Sequence, residues 1–138
     1  MSNRRLIILA RKAYFSSGLI FFNRNWTVKK NFQVFGQDSQ GHGYGHSFVL
    51  EARLAGYVDP ATSLVVNLSE LEKELKALLE QLDKKHLYYD VAALKNKVPT
   101  IENVAQFCYS ELKRRLGSLL VGVRLTQGAD DWVDILGD

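Results

Sequence analysis

The sequence predicts an α+β domain, an antiparallel sheet with two helices on one face. Strand-like stretches stand at both ends of the chain, one of them with clean apolar alternation. Between them, two segments repeat apolar residues at helical spacing, each behind a polar capping residue. At 138 residues the chain, 1–138, reads as a single domain long enough to bury its own core.

The first segment, roughly Leu6 to Phe22, is rich in β-branched, aromatic and leucine residues and has no proline, so it reads as a long strand. From Asn23 to Gly43 the pattern is irregular, with Trp26, Phe32 and Phe35 at no clean period. A second strand begins near Tyr44. Tyr44, His46, Phe48, Leu50, Ala52 and Leu54 fall on one face, with Gly45, Ser47, Val49, Glu51 and Arg53 on the other.

"DPAT" at 59–62 is a turn, since Asp59 can initiate it and Pro60 fixes φ. Ser69 and Glu72 fit a capping box. Leu71, Leu75, Leu78, Leu79 and Leu82 follow at helical spacing, and "LDKKHLYYD" closes the segment. A second helix opens after Pro99 with Thr100 as its N-cap. Ile101, Val104, Cys108 and Leu112 form its apolar stripe, and Gly117 is a natural stop. "SLLVGVRLT" and "DWVDIL" are the last two strands, so the expected order is β-β-α-α-β-β.

Bulk properties exclude several classes. No run of 18 or more apolar residues is present, which argues against a transmembrane span. The opening "MSNRRLIILARKAYF" lacks the length of a secretory apolar region, and the expectation is a cytoplasmic protein. The single cysteine, Cys108, lies on a helix stripe and reads as a buried, inert thiol. Net charge is +3, with basic pairs interspersed with acids and no nucleic-acid motif. A solvated face is expected rather than nucleic-acid binding.

"GHGYGHSF" at 41–48 is the stretch most suggestive of chemistry. His42, Tyr44 and His46 share a face if the strand extends that far. The glycines around His42 favour a turn instead. A metal site built from His42, His46 and Asp38 is conceivable, but its spacing matches no known ligand set.

Several stretches resemble the 6-pyruvoyltetrahydropterin synthase and 6-carboxytetrahydropterin synthase family, across nearly the whole chain. "VFGQDSQGHGYGHSF" is similar to the family's cysteine, spacer and His-Gly-His. "GYVDPATSLVVNLSELEKEL" resembles its turn and first helix, "LDKKHLYYDV" its Leu-Asp-His segment, and "VPTIENVAQFCYSEL" its Thr-x-Glu-Asn helix start. The resemblance implies the tunnelling fold, in which trimers, often stacked as hexamers, join their sheets edge to edge into a β-barrel. It implies sites between subunits, zinc held by three histidines, a cysteine base, an Asp-His proton relay and a glutamate that anchors the pterin ring.

This chain departs from that pattern where the chemistry lies. Leu19 and Tyr44 stand at two of the zinc-ligand positions, and only His46 keeps its imidazole. Catalytic zinc needs three protein ligands, so no metal and no other cofactor is expected. Asp38 stands at the cysteine position, and the Asp-His pair becomes Asp83-Lys84. Leu125 stands where the anchoring glutamate belongs, while Thr100 and Glu102 survive. Glu102 has two readings, a ligand contact or a first-turn acid that complements the helix dipole.

The expected ligand pocket is therefore Leu19, Tyr44, His46, Thr100, Glu102 and Leu125, with Asp38, Asp83 and Lys84 as catalytic candidates. The leading reading is a non-catalytic homologue binding a small planar ligand or a partner protein in an inter-subunit pocket of a trimer or hexamer. The alternative is a pterin-pathway enzyme, a synthase or an aldolase-like lyase, working without the zinc triad. On the first reading ordinary reduced pterins bind poorly, because Leu125 offers no acceptor to the donors on the pterin edge.

Overall fold

The structure, a computed structural model, describes residues 4–137, so the outermost ends of the predicted domain lie outside it. Four strands form one antiparallel sheet in the order β1-β2-β3-β4: β1 Ile7–Leu19, β2 Tyr44–Gly56, β3 Leu120–Gln127 and β4 Asp131–Leu136. Alternate residues of the sheet are buried on one face: Phe15 and Leu19 on β1, Phe48 to Leu54 on β2, Val123 and Leu125 on β3. Phe15 and Phe48 are register partners, and their rings stack at 4.8 Å.

Helices α2 (Leu68–Leu79) and α3 (Ile101–Leu116) fill that face with Leu71, Leu75, Leu78, Val104, Ala105, Cys108 and Leu112. Thr100 caps α3, its hydroxyl accepting from the Asn103 amide at 3.2 Å. Gly117 ends α3 at φ 62, where a Cβ is disfavoured. Asp59 holds the 59–62 turn by accepting from the Ala61 amide at 2.7 Å.

Three details differ from the sequence reading. The strand expected over Leu6 to Phe22 runs from Ile7 to Leu19. The stretch 23–43 contains a helix, α1 (Val28–Phe35), so the order is β-α-β-α-α-β-β. Helix α1 is held by a polar residue rather than an apolar stripe, because its buried residue is Asn31 while Val28, Phe32 and Val34 are exposed. Asn31 instead organises the turn before it. It accepts from the Asn23 amide at 2.7 Å and donates to the Asn23 and Thr27 carbonyls at 3.0 Å each. The α2 cap is Asn67 rather than the Ser69–Glu72 box, since its side chain takes the Ser69 and Glu70 amides. Glu72 instead pairs with Arg11 of β1.

The segment 83–87 lies along the outer edge of β1. The Lys84 amide donates to the Ser16 carbonyl at 2.7 Å, the Gly18 amide to Lys85 at 3.0 Å, and the Leu87 amide to Gly18 at 2.7 Å. These bonds occupy the outward groups of Ser16 and Gly18 and leave the earlier part of β1 as an open edge. The face away from the helices carries a row of register partners, Lys12, Glu51, Arg124 and Asp134, with alternating charge. Arg124 Nε donates to Asp134 at 2.8 Å and Arg53 pairs with Glu51 at 3.1 Å. Among the described residues no helix is long and apolar enough to cross a membrane.

Candidate functional site

The apolar face of β2 continues past the helices through His46, and there the core opens into a cleft of about 500 Å³. Its walls are the end of β1 with Phe21, the 36–39 turn, the first turn of α3, the end of β3 and the start of β4. Leu19, Asp38, His46, Thr100 and Glu102 all line it, so five of the expected residues come together from four separate stretches of chain. The sequence reading missed Phe21, Gln127, Asp131, Trp132 and Val133. Gln127 was legible in principle, being two residues beyond Leu125 and thus on the same strand face. Asp131 requires the β3–β4 register, which pairs it with Gln127.

The cleft has an apolar wall of Leu19, Phe21, Ile101, Trp132 and Val133, and its polar groups are acidic. Asp38, Glu102 and Asp131 supply three carboxylates, and neither lysine nor arginine lines it. Gln127 Nε2 lies 3.4 Å from His46 Nδ1. Asp38 is positioned by its own backbone, whose carbonyl accepts from the Phe21 amide at 2.8 Å. Glu102 makes no hydrogen bond or ion pair among the described residues. Such a cleft can accept several hydrogen bonds from a donor-rich ring, with His46 able to donate or accept.

Other candidates lie elsewhere. Leu125 has no exposed surface and belongs to the core, paired with Leu50 and Val133. Tyr44 is 61% exposed and does not line the cleft. Asp83 and Lys84 sit on the β1 edge, where Asp83 Oδ1 accepts from the Ser16 amide at 2.9 Å. Lys84 has φ 62, a conformation that costs a side-chain-bearing residue about 1–2 kcal/mol.

The glycines of "GHGYGHSF" have a structural role. His42 is exposed in a turn between Gly41 (φ 62) and Gly43 (φ 76), ahead of β2, and does not line the cleft. A Cβ on Gly43 would fall 1.8 Å from the Leu19 carbonyl oxygen, so only glycine lets the turn cross the end of β1. The conceivable site from His42, His46 and Asp38 is not assembled.

A sequence model of the 6-pyruvoyl tetrahydropterin synthase family matches residues 9–138. The chain belongs to this family. The 6-pyruvoyl tetrahydrobiopterin synthase of Dictyostelium discoideum is 30% identical over 135 residues, 97% of this chain and 98% of that protein. The human 6-pyruvoyl tetrahydrobiopterin synthase is 31% identical over 109 residues, 78% of this chain and 75% of that protein. The structure of Caenorhabditis elegans 6-pyruvoyl tetrahydropterin synthase superposes with a TM-score of 0.94 at 28% identity, covering all of both chains. A Plasmodium vivax 6-pyruvoyltetrahydropterin synthase mutant shares the fold, with a TM-score of 0.68 at 11% identity over 95% of this chain and 97% of that one.

The three-histidine zinc site implied by the family resemblance falls here on Leu19, Tyr44 and His46. Leu19 and Tyr44 are register partners, and His46 follows two residues on, so the three positions are neighbours on the sheet, with Tyr44 outside the cleft. Their chemistry does not fit zinc. Leu19 offers only methyl groups, and Tyr44 a phenol. Among the described residues no group of three or more His, Cys, Asp or Glu side chains is placed to hold a metal ion.

Proposed function

We propose that this family member binds a small, flat, donor-rich ligand of the pterin class in the cleft beside His46, holds no zinc there, and does not carry out a zinc-dependent synthase reaction. The observation that carries the reading is Leu19, 3% exposed at the cleft wall on a position where the family resemblance calls for a metal ligand. Asp38, Glu102 and Asp131 support the ligand class, since carboxylates accept paired N–H donors strongly. The weak pterin binding expected from Leu125 loses its basis, because that side chain is in the core and other acceptors face the cleft. The same reading puts the protein in the cytoplasm, where a lone reduced thiol such as Cys108 is ordinary. Calorimetry with neopterin and dihydroneopterin, beside elemental analysis of the purified protein, tests it. Binding weakened by Glu102→Gln without stoichiometric zinc supports the reading, and one tightly held zinc per chain overturns it.

The assembly proposed with it is a ring of copies, a trimer or a stack of two. The open edges of β1 and β4 support this, because unpaired edges call for cover. The row across the sheet supports it too, with Lys12 at one edge and Asp134 at the other, opposite charges for a head-to-tail neighbour. Sedimentation at micromolar concentration showing only a 15.7 kDa species would reject it.

A second reading, a pterin-transforming lyase without zinc, is favoured by one observation. The cleft borders the β4 edge through Asp131 and Trp132, while Asp83 and Lys84 hang on the β1 edge. Ring closure of β1 against a neighbour's β4 would carry Asp83 and Lys84 towards that neighbour's cleft. Turnover of dihydroneopterin or its triphosphate that is abolished by Lys84→Met would establish this reading. Absence of turnover would leave the binding reading in place.

A further inference from the structure

The chain that follows β1 is a wall with two unlike sides. Leu19 and Phe21 face the cleft beside His46, whereas Ile20 and Phe22 face a second cavity. That cavity has two lobes, of about 750 and 290 Å³, which share Phe22, Arg24 and Tyr88. Both together fall in the size range of small-molecule sites.

The larger lobe has aromatic walls, with Tyr88 buried and Tyr89 exposed. Tyr88 meets Phe22 edge-on at 6.4 Å and Tyr89 edge-on at 4.9 Å. The smaller lobe is basic and amide-rich, with Arg24, Lys95 and Lys97 beside Asn23, Asn25 and Asn96. No aspartate or glutamate lines either lobe, the reverse of the cleft on the other side of the wall. Among the described residues Arg24, Lys95 and Lys97 form no ion pair. Three like charges around one concavity concentrate a positive potential that an anion relieves.

Arg24 is already oriented between the lobes. Its Nε donates to the Tyr88 hydroxyl at 2.8 Å and its guanidinium carbon lies 4.8 Å from the Tyr88 ring centre. Its terminal amino groups remain uncommitted, the geometry that suits a phosphate. The walls are also fixed. Buried Asn31 ties down the Asn23 turn through three hydrogen bonds. On the facing side the Lys95 and Lys97 amides donate to the Ala92 and Leu94 carbonyls at 3.1 and 3.0 Å. A pre-formed site spends less binding energy on ordering.

We propose that this cavity binds a phosphate monoester of a flat heterocycle, of the nucleoside monophosphate class, with the ring against exposed Tyr89 and the phosphate at Arg24, Lys95 and Lys97. The ring stacks on Tyr89 and the phosphate takes charge-assisted bonds, so both parts contribute. This site is separate from the pterin-class cleft, and the two proposals stand or fall independently.

The test is calorimetric titration of the full chain with adenosine 5′-monophosphate, guanosine 5′-monophosphate, adenosine and inorganic phosphate. One monophosphate binds at one site per chain, at least about tenfold tighter than adenosine or phosphate alone, and added salt weakens it. Arg24→Gln and Lys97→Gln each weaken it by about tenfold, the loss of a charge-assisted bond. Both positions are exposed, so these variants keep the fold, as circular dichroism will verify. Tyr89→Ala weakens the monophosphate and leaves inorganic phosphate unchanged. Glu102→Gln leaves the monophosphate unchanged. The proposal is overturned if neither monophosphate binds at millimolar concentration or if phosphate alone binds equally well. It is also overturned if binding responds to Glu102→Gln and not to Arg24→Gln.

Discussion

His86 Nε2 lies 2.8 Å from the carbonyl oxygen of His42, joining two stretches of chain 44 residues apart. The Tyr88 and Tyr89 amides both donate to His86 Nδ1, at 3.2 and 3.3 Å. Nδ1 is therefore an acceptor, so the ring proton sits on Nε2 and is donated to His42. His86 also packs on Gly18, where a Cβ would come within 3.2 Å of its ring. His42, a conceivable metal ligand in the sequence, thus contributes its backbone carbonyl to a clasp in which His86 joins the glycine turn to the loop along the β1 edge.

Removing that clasp has a measurable cost. His86→Ala leaves the Tyr88 and Tyr89 amides and the His42 carbonyl without their partner. It should lower stability by about 2 kcal/mol in urea unfolding. An unchanged midpoint would mean that water replaces the imidazole without loss.

The two glycines beside His42 should respond differently. Gly41→Ala forces a Cβ into positive φ but meets no atom within 4 Å, and should cost about 1 kcal/mol. Gly43→Ala drives its Cβ into the Leu19 carbonyl and should cost at least about 2 kcal/mol more, read from the same denaturation midpoint. Equal losses would show that the turn can move off the end of β1.

Zinc content is a direct check on the cleft. The native protein, purified without chelator, should contain no stoichiometric zinc. Leu19→His with Tyr44→His places three imidazoles on neighbouring positions of the sheet and should gain one zinc per chain by elemental analysis. Failure of the double variant to bind zinc would mean that these side chains do not point to one centre.

Leu125→Glu puts a carboxylate into the core between Leu50 and Val133. It should destabilise the fold by roughly 3 kcal/mol or more, the cost of an unpaired buried charge. If the variant is as stable as the native protein and gains pterin affinity, the new side chain has reached the cleft.

Burial pushes the Cys108 thiol up to about 12, with the nearby Glu111 carboxylate adding to the rise. A raised pKa favours the protonated form in the folded state. Its contribution to stability is fully present below about pH 9 and declines as pH rises toward 12. Cys108 should resist alkylation at pH 8 until the protein is unfolded, and Cys108→Ala should flatten the alkaline loss of stability. Rapid modification of the native protein would place the thiol at the surface.

Much of the fold was legible because local chemistry and tertiary demand agree. Period-two apolarity set β2 and its buried face, and the Thr100 cap and Gly117 stop bracket α3 in a way that needs no distant partner. The gathering of Leu19, Asp38, His46, Thr100 and Glu102 was legible only through the family resemblance, since they come from four stretches of chain.

What the sequence by itself determined was the α+β class, the antiparallel strands, the cap and stop of α3, and the absence of metal-ligating chemistry at Leu19. Tertiary structure alone decided which side chains reach the cleft. Leu125 and Gln127 lie two residues apart on one strand face, yet helix cover ends between them, so one fills the core and the other meets His46. It also decided α1, whose buried anchor is a hydrogen-bonded asparagine while Val28 and Phe32 lie exposed. Periodicity reports burial only where burial is apolar. Where a polar side chain is buried against backbone from another segment, the signal lies in a contact that the linear sequence does not contain.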